Sequence, residues 1–247
     1  MRYFARLAYR GTQYFGWQRQ PNQISVQEKI EDTLQIVLRQ DVEVTGCGRT
    51  DAGVHASDYV LHFDFESDLP GQFLRRLNSL LPPDIVFYSI KAVHPEAHAR
   101  FDAVSRTYEY HMTGVKDPFK EDTVWMYRFY DKLDLQKLQQ SVSLLLEYEE
   151  FYPFCKSNTD VQTMKCMISR SEWIISPDTP SATYHVTSDR FLRGMIRLIV
   201  GMSISVASGK LSLDQVKYAL DTQTRISDAV SVPPQGLFLK DIRFPYF

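Results

Sequence analysis

No apolar run in this chain of 247 residues approaches the roughly 20 residues that a helix needs to cross a bilayer, so no membrane span is expected. The opening MRYFARLAYR alternates apolar with basic residues and lacks the continuous apolar stretch of a secretory leader, so the chain reads as cytoplasmic. Cysteine is scarce. Cys47, Cys155 and Cys166 are odd in number, widely spaced and without a CxxC pair, which argues against a disulfide framework and for small buried hydrophobes. His94 and His98 stand four apart, but in the order HPEAH rather than HExxH, so no metal site is expected. An excess of positive charge is missing too: 28 Lys and Arg face 30 Asp and Glu, for a net charge of -2. That total does not announce a nucleic-acid binder, although distribution matters more than the sum. Residues 1–27 carry Arg2, Arg6, Arg10 and Arg19 with no acid, while Glu147, Glu149 and Glu150 gather elsewhere. A basic face and a merely solvated one both fit that pattern.

What is present is an alternation of strand and helix signals. Residues 3–9 alternate apolar and polar as a half-buried strand does, and a long Gly-, Pro- and Asn-bearing loop follows. Ser25 with Glu28 forms a capping box ahead of a helix reaching about Arg39. A short strand over 42–45 runs into Gly46 and Gly48, and a second over 59–65 closes a hairpin-like excursion. Asp68 and Pro70 signal the start of a helix that Pro82 and Pro83 end. Strands over 85–93 and 104–112 follow, then a helix over 135–146 and strands over 167–175 and 182–188. Leu192, Met195, Ile196, Ile199, Val200 and Ile204 stripe a long amphipathic helix, Ser212 and Gln215 cap a short one, and 237–244 is a closing strand. This rhythm predicts an α+β fold of two duplicated, ferredoxin-like (RNP-like) β-α-β-β-α-β units. They are expected to form one continuous, mostly antiparallel sheet with helices on one side. The division falls at residue 105, giving an N-terminal half over 1–105 with the candidate loop and a C-terminal half over 106–247 completing a cleft. No Pro/Gly/Ser linker marks it.

The segment most charged with chemistry is GCGRTDAGVHA, residues 46–56. Three glycines in eight residues allow close backbone approach to a ligand, and Arg49, Thr50 and Asp51 sit between them. Asp51 stands where GxGxxG would have its third glycine, so this is no dinucleotide fingerprint, and GxxxxGK[ST] is not matched either. Taken alone, Asp51 also reads as a turn residue capping its own backbone. Against that reading stand Arg49 and Thr50 just before Asp51, since a base, a hydroxyl and a carboxylate displayed at a strand end are where catalytic groups are commonly carried.

GRTDAGVHA resembles the signature loop of the bacterial tRNA pseudouridine synthase A family, and the resemblance runs from Arg2 to Phe244. Tyr9, Gly11, Phe15, Gly16, Trp17 and Gln18 are similar to YxGxxxxGWQ, and Ser25, Val26 and Gln27 fit the start of the helix after it. Asn78 with LPPDI, HARF over 98–101 with Ala103, Arg106 with Tyr108 and Tyr110, MIRLIVG over 195–201 and the closing PPxGLxL from Pro233 continue the match in order. Departures fall at Asp58-Tyr59, where the family has Gly-Gln; at Glu150-Phe151 with Phe154, where Pro153 replaces a small residue; and at Arg193, where a histidine often stands.

The resemblance implies a homodimeric isomerase that needs no cofactor or metal. Its substrate would be tRNA, at uridines 38–40 on the 3′ side of the anticodon stem-loop. It implies Asp51 as the essential catalytic carboxylate, assisting cleavage of the C1′–N1 bond by attack on C1′ or by removal of a C2′ proton. Arg197, beside the apolar stripe of its helix, is the expected partner cation for that carboxylate; by position it also reads as a snorkelling surface arginine. Arg49 is expected to fill the space left by a flipped base or to grip the backbone. Tyr108 is expected to stack on the uracil or handle its C5 proton, though strand alternation alone would pack it in the core. Thr50 completes the substrate-binding set. Trp17 and Gln18 fit an organising role or RNA contact better than reaction. A non-catalytic RNA-binding module leaves the Asp51 loop unexplained, and a nucleoside glycosidase-like hydrolase would ordinarily need a second carboxylate or a metal.

Overall fold

The structure, a computed structural model, describes residues 1–156, 163–226 and 230–247. The chain is a mixed α+β protein with five α-helices and mostly antiparallel strands among those residues. It divides into two compact units, Met1–Val104 with Phe238–Phe247, and Ser105–Leu237.

The first unit starts with β1 (Arg2–Tyr9), which lies between β3 (His55–Asp64) and β4 (Ile85–Val93) and is antiparallel to both. Tyr3, Ala5, Leu7 and Tyr9 are buried, as the sequence alternation requires. Phe4 on the opposite face is also buried, because Phe244, Tyr246 and Phe247 from the end of the chain pack their rings over it. Helix α1 (Val26–Leu38) carries the expected capping box, with Ser25 accepting the Glu28 N–H and Glu28 reaching back. It stops at Arg39, which adopts a left-handed conformation.

Two strands of this unit, those foreseen over 42–45 and 59–65, need correction. The strand foreseen over 42–45 shrinks to β2 (Thr45–Gly46). The Val44 N–H instead donates to Glu31 at 3.1 Å and its carbonyl accepts from Gln27 at 3.2 Å, so side chains of α1 satisfy the backbone that a strand partner would have taken. Helix α2 (Phe73–Leu80) starts after Asp68 and Pro70, because the Phe73 N–H turns back to the Pro70 carbonyl and Gln72 takes a left-handed conformation. Strand β3 begins at His55, four residues before the foreseen position, since His55 and Ala56 pair in parallel with the last strand, β9 (Leu237–Arg243). The sheet of this unit thus runs β4-β1-β3-β9.

In the second unit β8 (Ser181–Ser188) lies between β5 (Ser105–Thr113) and β7 (Ile168–Ile175), antiparallel to both, and the short β6 (Trp125–Met126) adds to β5. Tyr108, Tyr110 and Met112 of β5 and Ala182, Tyr184 and Val186 of β8 are buried, while their alternates stay half-buried. Helix α3 (Leu135–Ser143) tightens to a 3-10 turn before Tyr148. The long helix α4 (Met195–Ala207) leaves Leu192 outside, because Gly194 at φ 71° marks its start. Helix α5 (Leu213–Asp221) opens on the Ser212–Gln215 capping box. All three cysteines are free and buried, and burial pushes the Cys166 thiol up to about 12. No helix among the described residues is long and apolar enough to cross a membrane.

Candidate active site

The GCGRTDAGVHA segment lies between β2 and β3, and its middle, residues 47–54, has no regular secondary structure. Such a stretch holds one conformation only if its backbone polar groups find fixed partners. They find them in the N-terminal segment. Trp17 N–H donates to the Thr50 carbonyl at 3.2 Å, and Gly53 N–H donates to the Tyr14 carbonyl at 3.2 Å. The Gly11 N–H donates to His55 Nδ1 at 3.0 Å, and the Tyr9 hydroxyl shares a 2.9 Å hydrogen bond with Thr50 Oγ1. Val54 N–H closes a turn on the Asp51 carbonyl, and Gly53 completes that turn at φ 76°.

Two glycines in the candidate motifs are dictated by this contact. Gly16 sits at φ 87°, where a Cβ would run into the Thr50 carbonyl oxygen. Gly46 faces the Tyr59 hydroxyl and the Trp17 ring, leaving no room for a side chain. Trp17 and Tyr59 stack with ring centroids 4.1 Å apart, and Tyr9 meets Tyr59 edge-on at 5.4 Å. All three rings are buried. Trp17 therefore organises the loop. Gln18, the other residue expected to organise or to touch RNA, donates to Gln27 at 3.0 Å at the start of α1.

Within this frame the three loop candidates differ in exposure. Arg49 is exposed, Thr50 is 8% exposed with its hydroxyl on Tyr9, and Asp51 is half-buried. One short loop thus places an exposed guanidinium two residues from a carboxylate at the mouth of a strand. The departure at Asp58-Tyr59 has a local explanation. Asp58 faces Arg6 at 3.5 Å and accepts the Ile242 N–H at 3.3 Å, which ties β9 to β3, while Tyr59 fills the aromatic stack.

The remaining candidates lie in the second unit. Tyr108 on β5 is 9% exposed and meets Phe191 edge-on at 5.2 Å. Arg197 on α4 is half-buried, and its Nε donates to the Val232 carbonyl at 2.7 Å while Val232 N–H returns to the Arg197 carbonyl at 3.3 Å. The next carbonyl, that of Pro233, accepts the Tyr110 hydroxyl at 2.9 Å. Burial pushes the Tyr110 phenol up, and the positive charge of Arg197 acts against that shift. The PPxGL stretch is thereby held by an arginine and a tyrosine from two other motifs. The departure at Arg193 is exposed, whereas Pro153 lies buried in a 3-10 turn with Phe154.

Reading the sequence missed the part played by Tyr9, Tyr59 and His55. For Tyr9 the signal was the glycine-aromatic spacing of YxGxxxxGW, which reads as a loop until the chain folds it against residues 46–56; His55 and Tyr59 lie outside that motif. No group of three or more His, Cys, Asp or Glu among the described residues could hold a metal ion. His94 and His98 turn their Nδ1 atoms to backbone N–H groups of Glu96 and of Arg100 and Phe101.

A sequence profile described as tRNA pseudouridine synthase matches residues 5–102 and 148–245. The chain is similar to tRNA pseudouridine synthase A of Porphyromonas gingivalis, 44% identical over 247 residues that cover 99% of this chain and 97% of that protein. It is 45% identical to tRNA pseudouridine synthase A of Bacteroides fragilis, covering 99% of this chain and 96% of that one. It is 33% identical to tRNA pseudouridine synthase A 2 of Clostridium perfringens, with 96% of each covered.

Proposed function

The chain belongs to the tRNA pseudouridine synthase family, an isomerase family, and on that footing we propose that Asp51 is its essential catalytic carboxylate. The substrate in this reading is tRNA, at uridines on the 3′ side of the anticodon stem-loop. The C1′–N1 bond breaks, the uracil turns over, and C5 joins C1′; the proton lost from C5 is matched by one gained at N1. Atoms and electrons balance within one nucleotide. A carboxylate serves this reaction by attacking C1′ or by taking a proton from C2′, and both routes need it ionised, in reach of the sugar and held still.

The observation that carries the proposal is the state of the loop. Asp51 is half-buried beside an exposed Arg49, and the peptide groups around it are held by bonds from Tyr14, Trp17 and Val54. A turn residue serving only to cap its own backbone would not require Tyr9, Gly11, Tyr14 and Trp17 bonded to the loop around it.

Arg49, exposed, is assigned to the space the flipped nucleotide leaves, at an unstacking cost of roughly a few kcal/mol. Tyr108 is assigned to stacking on the uracil, worth on the order of 1–3 kcal/mol, and Arg197 and Thr50 to substrate binding. The protein is further proposed to act in the cytoplasm as a homodimer.

Release of tritium from C5-labelled uridine in tRNA tests the assignment, because neither a non-catalytic RNA-binding module nor a glycosidase-like hydrolase displaces that hydrogen. Asp51→Ala and Asp51→Asn are expected to abolish release while tRNA binding persists. Turnover retained by either variant would overturn the role of Asp51.

A further inference from the structure

A buried phenol is a costly way to fill an apolar core unless its hydroxyl finds a partner. Tyr9 and Tyr59 are 4% and 0% exposed, and a phenylalanine would supply the same ring surface at either place. Both hydroxyls instead reach into the loop. Tyr59 donates to the Gly48 carbonyl at 2.5 Å, and Tyr9 shares its 2.9 Å bond with Thr50 Oγ1. These two anchor points flank Arg49 and precede Asp51.

We propose that Tyr9 and Tyr59 are positioning residues for the isomerisation, their hydroxyls fixing the loop on both sides of Arg49 so that Arg49 and Asp51 are presented in one reactive geometry. The inference rests on the reading of Asp51 as the reacting carboxylate and extends it to residues that touch no substrate. Three features make the brace rigid. The rings of Tyr9, Trp17 and Tyr59 pack on one another, with Trp17 stacked on Tyr59. Trp17 adds a third anchor through its own N–H on the Thr50 carbonyl. Gly16 and Gly46 let the N-terminal segment and the aromatic stack approach the loop without a Cβ between them. Each hydroxyl contributes little to overall stability, because one intramolecular hydrogen bond nets only about 1 kcal/mol. A small displacement of a reacting group, by contrast, can slow a reaction on the order of a hundredfold.

The test is single-turnover tritium release with enzyme in excess over C5-labelled tRNA, alongside filter binding of the same tRNA and thermal melting. Tyr9→Phe and Tyr59→Phe are each expected to slow the chemical step about ten- to a hundredfold, with tRNA Kd within about twofold of the parent. Should Tyr9→Phe fail to fold, Tyr59→Phe decides alone. Unchanged single-turnover rates, or slowing that follows only weaker tRNA binding or melting of the fold, would overturn the inference. Asp51→Asn separates the two claims. If it is inactive while both phenylalanine variants run at full rate, only the positioning role fails; if it is active, the underlying reading fails with it.

Discussion

The imidazole of His62 is 6% exposed, and its Nδ1 accepts the Ala99 N–H at 3.1 Å. Burial, reinforced by the charges of Arg2 and His98, lowers its pKa from 6.5 to about 4. The unfolded chain therefore takes up a proton near pH 6.5 that the folded chain refuses until about pH 4. This contribution to stability is whole above pH 6.5 and is lost as pH falls toward 4, by at most about 3 kcal/mol. Urea unfolding at pH 7.5 and 4.5 should show that loss, and His62→Asn should start lower at pH 7.5 but lose less on acidification. Equal losses in the two proteins would rule His62 out as the source. Nothing around VLHFD in the sequence marks this histidine; it is one residue of a strand until Ala99 binds its Nδ1. Asp51 and Arg49 stood out in the sequence because glycines bracket them, whereas Tyr9 stood only as a motif residue and Tyr59 as a departure, neither with a role to read.

Elements were legible where the signal was local. The capping boxes at Ser25 and Ser212 mark the starts of α1 and α5 within single turns, and Pro82 marks the end of α2. The strand over 85–93 matches β4, but what secures it is not local. β4 is an edge strand, and Asn78 of α2 clips it there, donating to the Phe87 carbonyl and accepting the Phe87 N–H, both at 2.8 Å. Phe87 is 1% exposed, so water cannot replace those bonds. Asn78→Ala is expected to cost about 2 kcal/mol in urea unfolding, and a loss under about 0.5 kcal/mol, typical of a neutral surface change, would show the clip to be dispensable. The failure at 42–45 has the same origin. Val42 and Val44 have strand-forming side chains and are buried, yet Glu31 and Gln27 from α1 claim the backbone of Val44 before any strand can.

Taken entire, the chain carries nearly balanced charge, 28 Lys and Arg against 30 Asp and Glu. Attraction to tRNA phosphates must then come from where the cations sit rather than from their excess. The chain also does not divide into two consecutive segments. Phe238–Phe247 groups with residues 1–104, where β9 pairs with β3 and the terminal aromatics cover Phe4. The proposed homodimer is expected to sediment at twice the mass of one chain at micromolar concentration. A monomer that releases tritium at full rate would exclude the dimer as a requirement.

The order of helices and strands, the caps, the α+β class and the loop holding Arg49, Thr50 and Asp51 are determined by the amino-acid sequence, because each depends on spacing within a few residues. The company those residues keep belongs to the tertiary structure alone. Only folding brings Gly11, Tyr14, Gly16 and Trp17 against residues 46–56, sends β9 back to β3, and turns two tyrosine hydroxyls onto a loop some ten and forty residues away. Hydrogen-bond partners at such separations leave no periodicity to read, since burial and close approach are settled by the whole chain at once.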